Sequence, residues 1–269
     1  MQFVTPLFNN EKSTNLVPYG LKSIALSTLL LLSACSDSDP AESVATDGEM
    51  AGTGENAGTP VNAPDAADGS TTQARYRLTF NATWSEATHP VNFPASAHFS
   101  GLVGAVHNEQ VRFWEPAQIA TPGIQRMAET GSKGTLLAEV QAAIDSGLAL
   151  AEISGGGIGI SPGSTSIEFD ANRDYPQITV TSMLAPSPDW FVGLHNYSLL
   201  ADDEFIDSAT IELPLYDSGS DSGTQFTSGN EATDPLAPIA TVSSDPMDTP
   251  FMNGTPTVGL FTLERLSVQ

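Results

Sequence analysis

Between Arg75 and Trp84 the side chains change character at every step. Tyr76, Leu78, Phe80, Ala82 and Trp84 are apolar or aromatic, and Arg75, Arg77, Thr79, Asn81 and Thr83 between them are polar. A period of two puts the two sets on opposite faces of an extended chain, so the segment suits a sheet with one face on a core and the other in water. Further runs of strand character are FSGLVGAVHN, VRFWEP, STSIEFD, QITVTSMLAP, SATIELPLY and TVGLFTLERLSV. They follow one another closely in a chain of 269 residues whose 23 Gly and 19 Pro supply turns and interrupt helices. Many strands at short spacing predict a mainly β fold, an antiparallel β-sandwich, and not a parallel sheet with crossover helices. One helix is expected in GTLLAEVQAAIDSG, where Leu136, Leu137, Val140 and Ile144 share a side and Gly147 stands at the C-terminal cap. A shorter helix is expected over GIQRMAETG.

The first 35 residues read as an address. After Lys22 the run SIALSTLLLLSAC is short for a membrane span and suits the apolar core of a signal peptide. It ends in Leu32-Ser33-Ala34-Cys35, which resembles the bacterial lipoprotein box. The resemblance implies acylation of Cys35 and attachment to a membrane through the lipid, with Ser36 directing the product to the outer membrane. Cys35 is the one cysteine of the chain, so no disulfide is expected. Residues 36–73 are rich in Asp, Glu, Ala, Gly, Ser, Thr and Pro, and from Ser36 to Thr72 they lack aromatic residues, Lys and Arg. Such a composition buries too little apolar surface to offset its ordering entropy, and it reads as an acidic, self-repelling tether. Residues 74–269 are left as the folded domain.

Charge narrows the partners. The formal net charge is −23, and beyond Cys35 seven Lys and Arg face thirty-one Asp and Glu, a net of −24. A surface of that sign repels phosphate backbones and anionic headgroups, so nucleic acid is not expected as a partner, and cations are. The same charge also suits plain solubility in a salty medium.

Four patterns invite a chemical reading. GISPG, residues 159–163, matches a nucleophile elbow, but Pro162 has no N–H to give to an oxyanion hole, and a serine hydrolase is set aside. His89, His98 and His107 recur at nine-residue intervals without the close pair of a tight zinc site, so each is expected to bond a nearby backbone carbonyl. ADDEF, residues 201–205, reads as a solvated loop. LYDSGSDSG, residues 215–223, is different in kind. Asp217 and Asp221 lie among small residues, with Gly219 and Gly223 free to take positive φ, and Asp189 in APSPDWFVG is stiffened by Pro186 and Pro188. Hard divalent cations such as calcium take carboxylate, carbonyl and water oxygens. On the residues alone, a calcium site built from Asp189, Asp217 and Asp221 stands beside ordinary turn-capping aspartates.

The ordered series YRLTFNATWSEATHP, FPASAHFSGLVGAVH, FWEPAQIATPGIQRMAETGS, APSPDWFVGL, LPLYDSGSDSG and TVGLFTLERL resembles the spondin N-terminal domain, known from F-spondin and mindin, from about Ala74 to Leu266. The resemblance implies an antiparallel β-sandwich that binds one calcium ion in a loop region, with the family's metal-binding aspartates matching Asp189, Asp217 and Asp221. It implies a role in cell adhesion and in contacts with matrix or glycan, without enzymatic activity. Two features depart from the animal proteins: LLADDEFIDS has no cysteine where they carry one, and their thrombospondin-type repeats are missing. The function expected is therefore a lipid-anchored, exported, calcium-binding module for adhesion or recognition at the cell envelope. The alternatives are a calcium-dependent enzyme acting on polysaccharide and a structural envelope protein whose metal serves folding.

Overall fold

The computed structural model describes residues 72–242 and 257–269. Cys35 with its surrounding box, and the tether up to residue 71, lie outside the described residues. The strands are β1 (Gln73–Ala82), β2 (His98–Phe99), β3 (Val103–His107), β4 (Ala149–Ser154), β5 (Gly163–Asn172), β6 (Gln177–Ala185), β7 (Trp190–Ser198), β8 (Leu200–Ala201), β9 (Glu204–Phe205), β10 (Ser208–Pro214), β11 (Tyr216–Asp217), β12 (Ala240–Thr241) and β13 (Thr257–Val268). Two helices, α1 (Pro122–Thr130) and α2 (Gly134–Asp145), complete the fold. The mainly β antiparallel sandwich expected from the sequence is what the chain forms.

One sheet has the order β10-β13-β1-β5; the other runs β12-β11-β7-β6-β3-β4, with β2 joined to β6. β1 alternates as its sequence requires: Tyr76, Leu78, Phe80 and Ala82 are buried while its arginines face solvent. With Phe169, Phe261 and Leu263 they pack against Ile178, Val180, Val192 and Leu194 of the second sheet, forming the inter-sheet core. The second sheet is covered on its other face as well. Val103, Ala105, Met183 and Phe191 meet Ile124 and Met127 of α1 and Leu136 and Val140 of α2. This is why β6 is apolar or small through most of its length instead of alternating: from Ile178 to Ala185 every residue is buried.

The helices sit where the sequence places them. Thr121 caps α1, its Oγ1 accepting from Ile124 N at 3.2 Å, and Gly131 closes it with φ of 69°. Glu139 of α2 adds a second cap by accepting from Gly123 N at 2.7 Å, which ties the helices together. Gly147 follows α2 with φ of 70°. VRFWEP is not a strand. Phe113 and Trp114 are buried against the helix-covered face in an irregular segment, and Trp114 meets Phe191, His195 and Tyr216 edge-on. The apolar run there serves burial under the helices and contributes no ladder.

Candidate metal centre

Asp189 ends the turn that joins β6 to β7. Ser187 shapes this turn, its Oγ donating to Leu184 O at 2.6 Å and accepting from Trp190 N at 3.1 Å. Trp190 then enters the inter-sheet core, its ring 5.6 Å from that of Phe226. Asp189 is thus set at a stiff strand entrance, wholly buried, with its carboxylate turned to the neighbouring loop.

That loop begins at β11, which pairs with β7 so that Asp217 lies opposite Trp190. Asp217 Oδ1 accepts from Gly219 N at 2.7 Å and its Oδ2 from the Trp190 indole at 3.3 Å. Asp221 Oδ1 accepts from Gly223 N at 2.8 Å and its Oδ2 from Glu231 N at 3.0 Å. Each aspartate thus accepts from the amide two residues on, the turn chemistry that small residues around Asp favour. The strand-like bonds Ser222 N to Glu231 O and Thr233 N to Ser220 O, at 2.8 and 2.9 Å, lock the far side of the loop. Gly219 takes φ of 76°, and a Cβ there would lie 2.0 Å from Ala237 O. Gly223 differs from expectation: its φ is not positive, and close packing on Pro188 and Ser228 is what excludes a side chain.

The three predicted carboxylates gather at this end of the second sheet. Burial, together with the charge of Asp189, pushes Asp217 from an ordinary 3.8 up to about 6. Burial also raises Asp189, against the pull of its hydrogen bonds. Asp189 Oδ2 accepts from Ser218 Oγ at 2.9 Å, Ser220 N at 2.8 Å, Ser220 Oγ at 3.2 Å and Asp221 N at 3.0 Å. Its Oδ1 is buried and has no hydrogen-bond partner among the described residues. Beside the loop a cavity of about 320 Å³ is lined by Trp190, Asp217, Asp221, Thr224, Pro238 and Val242, among others.

The residues fit a hard cation in chemistry: three neighbouring carboxylates, one with an unused buried oxygen, and no Lys or Arg side chain among the bonds made to them. They do not stand as a finished cage. Among the described residues no three His, Cys, Asp or Glu side chains are grouped so as to hold a metal ion. The loop amides and the Trp190 indole take one acceptor site on each Asp217 and Asp221 oxygen, which leaves each oxygen further lone-pair capacity for an ion.

The other motifs resolve into structure. Ser161 Oγ donates to Trp84 O at 2.7 Å and is buried, which makes it a tie between loops. His98 Nδ1 meets Ser96 O at 2.6 Å, and His107 bridges Asn108 O and Thr179 Oγ1 at 2.7 and 2.8 Å. His89 Nδ1 lies 2.9 Å from Thr88 Oγ1. In ADDEF, residues 201–204 form the exposed tip of the β8–β9 hairpin, with Asp203 2.9 Å from Arg173, whereas Phe205 is buried in the inter-sheet core and is not part of a solvated loop. Sequence reasoning passed over Ser218, Ser220 and the Trp190 indole. The hydroxyls looked like turn residues, and only the register of β7 with β11 brings all three to the aspartates. No helix of the described residues is long and apolar enough to cross a membrane.

The Spondin_N family model matches residues 74–255. Spondin-2 of Homo sapiens is 31% identical over 207 residues, covering 72% of this chain and 62% of that protein. Spondin-1 of Gallus gallus is 33% identical over 185 residues, covering 66% of this chain and 23% of that protein. Spondin-2 of Rattus norvegicus is 29% identical over 175 residues, 64% of this chain and 53% of that protein. The chain thus spans less than two thirds of the length of these relatives. A match that starts at the first strand and takes in the aspartate turn and the acidic loop assigns the domain: the chain belongs to the Spondin_N family.

Proposed function

We propose that the chain is a lipid-anchored, exported module that binds calcium through Asp189, Asp217 and Asp221 and mediates adhesion or recognition of a glycan or matrix ligand. The observation that carries the reading is the wholly buried Asp189, whose Oδ1 has no partner among the described residues and whose charge adds to the raised proton affinity of Asp217. A cation would take up the unused oxygen and relieve the repulsion between neighbouring carboxylates. Membership of a family whose members carry the name spondin supports a binding role over a catalytic one. Attachment rests on the box at Cys35, with the outer membrane as destination, and the acyl chains would hold the module at the envelope surface.

Two measurements test the reading. Calcium titration by calorimetry should give a saturable site in the wild type that Asp217→Asn weakens at least tenfold; a flat wild-type titration contradicts it. A glycan array run with calcium and with chelator should show binding that needs calcium. Retention that ignores calcium would separate recognition from the metal, and cleavage of an arrayed glycan would favour the polysaccharide-active alternative.

A further inference from the structure

The three aspartates are not held alike. Asp217 and Asp221 are fixed by backbone amides and one indole. Asp189 alone is gripped by hydroxyls: Ser218 Oγ at 2.9 Å and Ser220 Oγ at 3.2 Å, beside the amides of Ser220 and Asp221. The two hydroxyls also touch each other at 2.8 Å, and both serines are buried. Both amides donate to Oδ2, and the two hydroxyls share their two protons between Oδ2 and each other. Oδ1 receives none.

We propose that Ser218 and Ser220 are positioning residues of the metal centre, holding Asp189 so that Oδ1 alone is presented to the ion. This rests on the calcium reading above. A carboxylate in water turns freely and can offer either oxygen. Here the donors commit one oxygen to the loop and leave the other clear of them. Asp189 is thereby a one-oxygen ligand, and the rest of the shell of six to eight oxygens that calcium takes comes from other groups or water. Partners that orient a metal ligand typically contribute about 10-fold to 100-fold to affinity. Ser218 matters more, because its contact is shorter and Ser220 keeps its amide bond when the hydroxyl is lost.

The test is calcium titration by calorimetry on the full-length chain, comparing wild type with Ser218→Ala, Ser220→Ala and Ser222→Ala, each below its own melting temperature. Ser222 lies in the same loop but bonds Glu231 and none of the three carboxylates, so it reports on loop disturbance alone. Ser218→Ala should weaken calcium about tenfold or more, Ser220→Ala by less, and Ser222→Ala within twofold of wild type. If Ser218→Ala does not fold, Ser220→Ala carries the comparison, because its backbone bond to Oδ2 survives. Wild-type affinity in Ser218→Ala and Ser220→Ala overturns the proposal, as does equal weakening in all three variants. A wild type that takes up no calcium overturns instead the calcium reading on which it rests.

Discussion

Two sets of carboxylates in this molecule meet opposite conditions. On the outer face of the first sheet Glu168 stands between Arg75 and Arg77, at 3.3 and 2.8 Å, and Asp170 lies 3.0 Å from Arg75. Bonding to Arg77 holds Glu168 below the ordinary carboxylate range. At the end of the second sheet Asp189 and Asp217 are met by amides, hydroxyls and an indole, and burial drives both upward. The first set has its cations built in and stands in water, where each pair contributes little. The second set has dipoles enough to hold its shape, but among the described residues no Lys or Arg bonds to it. This contrast is why the proposed calcium reading rests on the loop and not on the acidic surface at large.

The sharpest way to break the contrast is to remove the buried acid. Asp189→Ala would orphan the donors on Oδ2 and is expected to cost about 4 kcal/mol in urea unfolding with chelator present. An unchanged midpoint would show the loop does not depend on it. Gly219→Ala forces a Cβ to within 2.0 Å of Ala237 O at φ of 76° and should cost about 3 kcal/mol.

A smaller effect tests the electrostatics. Asp217 has a folded pKa, about 6, above its ordinary 3.8, so the native state binds the proton more tightly. Its contribution to metal-free stability is therefore full below about 3.8 and lost as pH rises through about 6. With partial solvent screening the loss is about 2 kcal/mol. The difference between wild type and Asp217→Asn isolates it from His107, whose burial lowers its pKa and acts in the opposite sense on acidification. A difference independent of pH between 4 and 7 would remove Asp217 from the account. Smallest of all, Glu168→Gln on the solvent face should leave the unfolding midpoint unmoved with calcium or with chelator; a shift that depends on calcium would erase the distinction between the two sets.

Much of this is legible in the sequence. The alternation from Tyr76 to Trp84 declares a strand with one wet face, and Gly147 declares the end of the longer helix. VRFWEP misled because burial under α1 and α2 asks for the same Phe and Trp that a ladder would, and periodicity over so short a run cannot tell them apart. β4, ALAEIS, gives no period-two signal because its residue types do not follow its burial: Leu150 is exposed beside Glu152, while Ala149 and Ile153 are buried. Within the loop, Asp189, Asp217 and Asp221 were visible as residue types in a turn-rich context. Which oxygen of Asp189 is held, and by which hydroxyls, depends on the pairing of β7 with β11 across distant sequence.

The central claim, that the loop is completed by calcium, is tested most directly by thermal melts of wild type and Asp217→Asn in excess calcium and in chelator. At a hundredfold excess over the wild-type dissociation constant, linkage predicts about 3 kcal/mol of added stability for the wild type and no more than about half of that for the variant. A wild type that melts at one temperature in both conditions contradicts it.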